Sequence, residues 1–336
     1  MKAASRKKYR QKSRRHSTKA LWLTVFLSAS VLYLLTAQHG VAWQDSAIRQ
    51  ERVMRLDILG DMGLALAHPL YILVGAGFCR LIPGVGCPTL LNMLSGLAMA
   101  VALANIASLV GRLTHRHFVG LSVAAMLAVT HTIWWLSAIT EVYTLYLAAF
   151  TAELFFLVVL IERRTLPPLL AMMFINGLGL AVHNFALLPL PVYAAVAVVL
   201  FIRKQISLGE LALGGLAWLV GAGLYIGLTI YEIATLGSVV EGLRSALVGG
   251  YGKQVASFSL VSRFTKANLV LMALNFVSLL LPLALIGWWT LRKRHGGLLA
   301  GAVYALTIIE VLFVVRYPVP DQFMFILPSM VMIGIA

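Results

Sequence analysis

Apolar runs of about 20 residues recur from residue 20 to the end of this 336-residue chain. A hydrocarbon core about 30 Å thick takes ~20 such residues per helical crossing. Inside lipid every backbone N–H and C=O must be paired within the protein. Runs this long and uniformly apolar are not barrel strands, so helices are the one solution. Charged residues make up 12% of the chain and hydrophobic ones 60%, where soluble domains carry about 25% charged residues. The chain is therefore an all-α polytopic membrane protein. Taken in order, the runs predict ten spans, at 20–37, 86–111, 118–136, 143–161, 168–183, 185–202, 209–231, 268–291, 297–315 and 323–336. The last is cut short at the chain end. The domain reading is a basic cytoplasmic tail over 1–19 and one transmembrane domain over 20–336.

The formal charge of +15 does not point to nucleic acid, because nine of the 27 Lys and Arg residues lie in residues 2–19. A basic leader ahead of an apolar segment fixes topology and touches anionic lipid. With the N-terminus inside, the pairs and triple Arg112/Arg116, Arg163/Arg164, Arg203/Lys204 and Arg292/Lys293/Arg294 also fall inside. Seven of the twelve acids, namely Asp45, Glu51, Asp57, Asp61, Glu141, Glu241 and Asp321, fall outside. Two outer loops are long, 38–85 and 235–267, and the chemistry is expected there. In the first, Val53, Leu56, Leu59 and Leu64 predict a surface helix within Gln50–Leu66, and Pro69–Pro83 predicts a second interfacial or re-entrant helix. Cys79 and Cys87, eight apart in that loop, could bridge in an oxidising compartment, but two cysteines do not decide it and the preferred reading is two free thiols.

Gly40–Asp61 gathers four of the twelve acids. Asp45, some eight residues beyond the first span, is the candidate catalytic base: a carboxylate at the bilayer surface can accept a proton from a hydroxyl nucleophile. The competing reading is a helix N-cap formed by Asp45 or Ser46. Candidate binding residues are His68 at the start of the second interfacial segment, Glu141 and Tyr143 in a short outer turn, and His183 and Asn184 at another. Arg316 and Asp321 flank the outer mouth before the last span, where Arg316 has the fork geometry for a phosphate. Glu153 and Glu310 fall mid-span, where an unpaired charge is costly. They carry the alternative reading, a transporter or flippase of lipid-linked or small polar solutes. No metal-ligand spacing or nucleotide fingerprint is present.

Several collinear pieces resemble one family. They are Gly40-Val41-Ala42-Trp43-Gln44-Asp45-Ser46, Gly63-Leu64-Ala65-Leu66-Ala67-His68-Pro69-Leu70-Tyr71, Asn92-Met93-Leu94-Ser95, Glu141-Val142-Tyr143, Gly177-Leu178-Gly179-Leu180 with His183-Asn184, and Asp321-Gln322-Phe323 through Leu327-Pro328. In this order they resemble bacterial membrane proteins related to the transmembrane protein O-mannosyltransferases, part of the GT-C glycosyltransferase superfamily. The family's D-S-G-E reads Asp45-Ser46-Ala47-Ile48 here, and its H-P-P-G-Y-P-L is shortened to His68-Pro69-Leu70. The resemblance implies a GT-C-like bundle in a bacterial inner membrane, with the active site outside and Asp45 as base. It also implies a polyprenyl-phosphate-linked sugar, mannose among the candidates, as donor and a protein or glycan as acceptor. No cofactor is demanded, although the loop acids offer a place for a divalent metal. A catalytically inactive relative is the third reading.

Overall fold

The computed structural model describes residues 2–257, 266, 269–270, 273–275, 280–319 and 322–335. Every regular element among the described residues is helical, as lipid demands of a chain this apolar. α1 (Lys2–Thr36) joins the basic tail and the first apolar run into one helix. α2 (Asp45–Arg55) and α3 (Pro69–Leu81) fill the first loop, and α4 (Cys87–Thr114) follows. Then come α5 (His117–Ala128), α6 (His131–Ala138), α7 (Val142–Arg163), α8 (Leu166–Leu180), α9 (Leu190–Ile202) and α10 (Leu208–Leu236). α11 (Val239–Leu247), α12 (Gly252–Val255), α13 (Leu280–His295), α14 (Gly297–Arg316) and α15 (Leu327–Ile335) complete the chain.

Among the described residues, six helices are long and apolar enough to cross a membrane: Thr18–Thr36, Cys87–Thr114, Val142–Arg163, Asn184–Ile202, Leu208–Leu236 and Gly297–Arg316. The structure does not support the full count of ten. The run at 118–136 is two helices bent by 68°. Thr130 ends the first of them by turning its hydroxyl and its N–H back onto the Leu127 carbonyl. The run at 168–183 becomes a helix of 15 residues, which rises about 22 Å and falls short of the hydrocarbon core. Much of the run at 268–291 lies outside the described residues.

α4 is the axis of the bundle, buried along most of its length against α1, α5 and α7. Small residues set the closest crossings. A Cβ on Gly177 of α8 would strike the Trp218 carbonyl of α10, and one on Gly221 of α10 would strike the Phe174 carbonyl of α8. This reciprocal contact lets two backbones approach where lipid supplies no hydrophobic drive for association.

The first loop differs from expectation in two ways. Its surface helix runs over Asp45–Arg55 and not within Gln50–Leu66. Leu56 turns left-handed with φ 55°, and the Asp57 carboxylate accepts from the N–H groups of Leu59 and Gly60, which ends the helix at Arg55, well short of Leu66. The two cysteines are bridged, not free, because the end of α3 returns to the start of α4 and brings their Cα atoms to 5.1 Å. A segment after α10 closes over the loop: Leu64 N–H donates to Ser245 Oγ at 2.9 Å, and Gly250 N–H to the Met62 carbonyl at 2.9 Å.

Candidate active site

α2 places the site. Its N-cap is Gln44, at φ 53° and ψ −128°, with no side-chain capping bond. Neither Asp45 nor Ser46 caps the helix, so the N-cap expectation is corrected. Asp45 is the first helical residue, its side chain 61% exposed, where the unpaired N–H groups of the first turn favour an acid. Ser46 faces inward and donates to Glu141 Oε1 at 3.4 Å. One turn on, Arg49 lies on the same helix face as Asp45. Its Nη2 reaches Asp45 Oδ2 at 3.4 Å, and its Nη1 reaches Glu141 Oε2 at 2.9 Å.

A polar network fixes α2 against the bundle. Gln50 Nε2 donates to Thr140 Oγ1 at 2.8 Å and to Asn92 Oδ1 at 3.0 Å, while its Oε1 accepts from Ala42 N–H. Asn92 Nδ2 in turn donates to the carbonyls of Gln38 and Gly40. Gln50 and Asn92 are fully buried, so each of these bonds replaces one to water that folding removed. The turn before α7 is held by Glu141 N–H donating to Ser95 Oγ at 2.9 Å. The Glu141 side chain is 1% exposed and sits beneath Arg49 as its counter-ion, off the cavity wall, where a sugar-contacting position was expected. Burial by itself would favour a neutral guanidine at Arg49. Glu141, with Tyr143 and Asp45, more than offsets that and keeps it charged.

Asp45 and Arg49 of α2 border a cavity of about 440 Å³. Asp45, His68, Tyr143, His183 and Asn184 line it together, as do three polar residues the sequence did not single out, Arg49, Arg52 and Asp61. The spacing of Asp45 and Arg49 on one helix was the available signal. Arg52 is tied to Asp57 and to the Ala67 carbonyl, which leaves Arg49 as the cation beside Asp45. The opposite wall is apolar and aromatic, from Phe185, Leu188, Phe313 and Tyr317. Asn184 Nδ2 donates to the Ala246 carbonyl at 2.8 Å and so pins the segment that roofs the cavity.

Two predicted residues stand apart. Arg316 does not line the cavity: its Nη1 donates to the carbonyls of Val255 and Ser257 at 2.9 and 3.1 Å, tying down the roof. Asp321 lies outside the described residues. Glu153 and Glu310 are buried and away from the cavity wall, Glu153 Oε2 accepting from Asn176 Nδ2 at 3.2 Å. Among the described residues no three His, Cys, Asp or Glu side chains converge to hold a metal ion.

His68 and His183 stack with ring centroids 5.1 Å apart. His68 Nδ1 lies 2.8 Å from the Val182 carbonyl, so in the neutral ring it is the donor and Nε2 the acceptor. His183 Nδ1 accepts from Phe185 N–H at 3.1 Å, which puts its proton on Nε2. Burial, and after it the charge of Arg49, push His183 down to about 3. Burial, then His183 and Arg49, hold His68 well below the usual range. Both rings are neutral at pH 7. The unfolded chain protonates its histidines near the ordinary value of 6.5, before the folded chain does. Their neutral forms thus stabilise the fold fully above that pH, and the contribution is lost as pH falls toward 3. The thermal unfolding midpoint should drop between pH 7 and pH 4, and His183→Gln should make that drop shallower.

Residues 58–207 match the family model described as protein O-mannosyl-transferase TMEM260 N-terminal domain. The match takes in His68, Glu141, Tyr143, His183 and Asn184, and begins after Asp45. The fold is similar to the crystal structure of ArnT from Cupriavidus metallidurans bound to undecaprenyl phosphate, with a TM-score of 0.64 at 14% identity, covering 94% of this chain and 59% of that one. Apo ArnT from the same organism gives a TM-score of 0.59 at 13% identity, with the same coverage of both chains. The chain thus spans less than two thirds of the length of these proteins. No curated protein sequence matches. The family model over residues 58–207 and the ArnT-like fold agree with the resemblance to the membrane O-mannosyltransferases that the sequence suggested.

Proposed function

We propose that the chain is an inverting GT-C glycosyltransferase that moves a sugar from a polyprenyl-phosphate donor to an acceptor hydroxyl on the extracytoplasmic face of a bacterial inner membrane. The observation that carries this reading is Asp45, whose exposed carboxylate borders the 440 Å³ cavity and is oriented by Arg49. In the reaction, Asp45 takes the proton of the acceptor hydroxyl as its oxygen attacks the anomeric carbon. The bond from that carbon to the phosphate oxygen breaks, and the phosphate leaves with the electron pair. Configuration inverts because attack and departure lie on opposite faces.

A phosphate leaving group needs little acid help but gains from a nearby cation. Arg49 fits that role better than the residues first considered. His68 is neutral, and Arg316 is engaged by the roof carbonyls. Tyr143 and the stacked histidines offer flat faces to a sugar, and the apolar wall of Leu188 and Phe313 suits the first isoprene units of the carrier. ArnT, the similar fold, is described with undecaprenyl phosphate bound, which supports a polyprenyl phosphate here. The description of the matching family model as a protein O-mannosyl-transferase domain supports mannose as the sugar.

The test is reconstitution of the protein in proteoliposomes with a panel of polyprenyl-phosphate sugars and acceptor peptides, with product anomeric configuration read by NMR. Transfer with inversion is the expected result. Solute or lipid flux without sugar transfer, lost on changing Glu153 or Glu310, would replace this reading with a transporter.

A further inference from the structure

Three helical segments join the candidate active site to a second cavity at the far end of the bundle. α7 leaves the site at Tyr143 and ends at Arg163, and the segment Asn184–Ile202 leaves it at Asn184. α14 runs the other way, from Gly297 up to Phe313 beside the site. At about 1.5 Å per residue these helices separate the two cavities by roughly 25–30 Å, close to the thickness of a hydrocarbon core. The second cavity, of about 270 Å³, therefore opens at the opposite membrane surface.

Its polar lining comes from three separate places: Glu162 and Arg164 at the end of α7, Arg203 and Gln205 just after α9, and His295 and Gly296 where α13 gives way to α14. Arg164 and Arg203 make no ion pair among the described residues. The one carboxylate present, Glu162, is already committed to Arg112, whose Nε lies 2.9 Å away. Two exposed arginines without an ion pair thus border one space. Ile161 and Leu298 add an apolar margin. The first turn of α14 borders the same space and has no side-chain cap, so its N–H groups supplement the arginines.

We propose that this cavity is a phosphate-binding site, with Arg164 and Arg203 holding the anion. Guanidinium forks match phosphate geometry, and basic pockets between helices at a membrane surface receive phospholipid head groups. The site lies outside the proposed transfer centre and stands whether or not that activity does. Its ligand carries a phosphate group, as an anionic lipid head group or as a free phosphate ester.

The neighbours in sequence provide the control. Arg163 and Lys204 carry the same charge on the same turns but do not line the cavity. Arg164 and Lys204 both sit at φ 55°, so each is changed to Asn, which tolerates that backbone. The full chain is to be purified in three forms: unaltered, Arg164→Asn with Arg203→Gln, and Arg163→Gln with Lys204→Asn. Inorganic phosphate is titrated against chloride at constant ionic strength, following the thermal unfolding midpoint. Retained phosphatidylglycerol is counted by native mass spectrometry after reconstitution in phosphatidylcholine nanodiscs containing it. We expect the cavity variant to bind about tenfold more weakly or worse, and the control to bind as the unaltered protein does. Response to inorganic phosphate identifies a free phosphate ester, and retention of phosphatidylglycerol alone identifies a head group. Should the cavity variant not fold, Arg164→Lys with Arg203→Lys keeps the charge, removes the forks and is expected to weaken binding as well. Equal weakening in cavity and control variants, or no binding of either probe by the unaltered protein, overturns the proposal.

Discussion

Asp45→Asn should lower the rate of sugar transfer by about 10²–10⁴-fold, the range a positioned general base contributes. The substitution keeps the shape of the side chain and its ability to accept from Arg49, and it removes the capacity to take a proton. Folding should be almost unaffected, because the Asp45 side chain is 61% exposed and its contact with Arg49 is 3.4 Å long. A long contact to a carboxylate that is itself mostly in water is worth about 1 kcal/mol or less. The loss should therefore appear in kcat, with KM for the lipid donor little changed and the unfolding midpoint within a few degrees of the unaltered protein. Initial rates with a saturating donor decide the matter. Transfer at the original rate in Asp45→Asn would remove Asp45 from the chemistry.

Glu141→Ala should be the most destabilising single change in the site. It leaves the Arg49 guanidinium, whose side chain is 8% exposed, without its buried partner. Breaking a buried pair in this way costs about 3–5 kcal/mol, because the remaining charge stays out of water uncompensated. Denaturant unfolding in detergent measures the loss directly. Replacing both members, Arg49→Met with Glu141→Leu, should restore most of the stability, since apolar residues of similar volume fill the space without a charge. Transfer activity should not return, because Asp45 then has no guanidinium to orient it. Stability recovered without activity separates the structural part of the pair from its part in the site. If the double variant transfers sugar normally, Arg49 has no role there.

The long apolar helices were legible because their composition admits one backbone solution in lipid. Boundaries were less so. The bend at Thr130 depends on a hydroxyl turning back on the Leu127 carbonyl, and the start of α2 depends on Gln44 adopting a backbone uncommon outside glycine. Neither shows as a change in hydropathy. Within the candidate site, Asp45, His68, Tyr143, His183 and Asn184 do border one cavity. Arg49 is one of several charges in a polar stretch, and beyond its spacing from Asp45 nothing in the sequence sets it apart from Arg52 or Arg55. Glu141 lies in a short outer turn, which by sequence suits a cavity-lining position. Its inward orientation is decided by Ser95, which accepts its backbone N–H, and by Arg49 above it.

By itself, then, the sequence determined that this chain is a bundle of membrane helices with four of its twelve acids in the first loop. Hydropathy and charge are properties of segments and need no partner. The tertiary structure decided which charges meet. Arg49 and Glu141 are 92 residues apart and become an ion pair only when α2 is laid against the start of α7 by Gln50, Asn92 and Thr140. Cys79 and Cys87 likewise bridge only because α3 folds back onto α4. Charge pairing falls off within a few ångströms, and no linear pattern specifies distances of that order between segments so far apart along the chain.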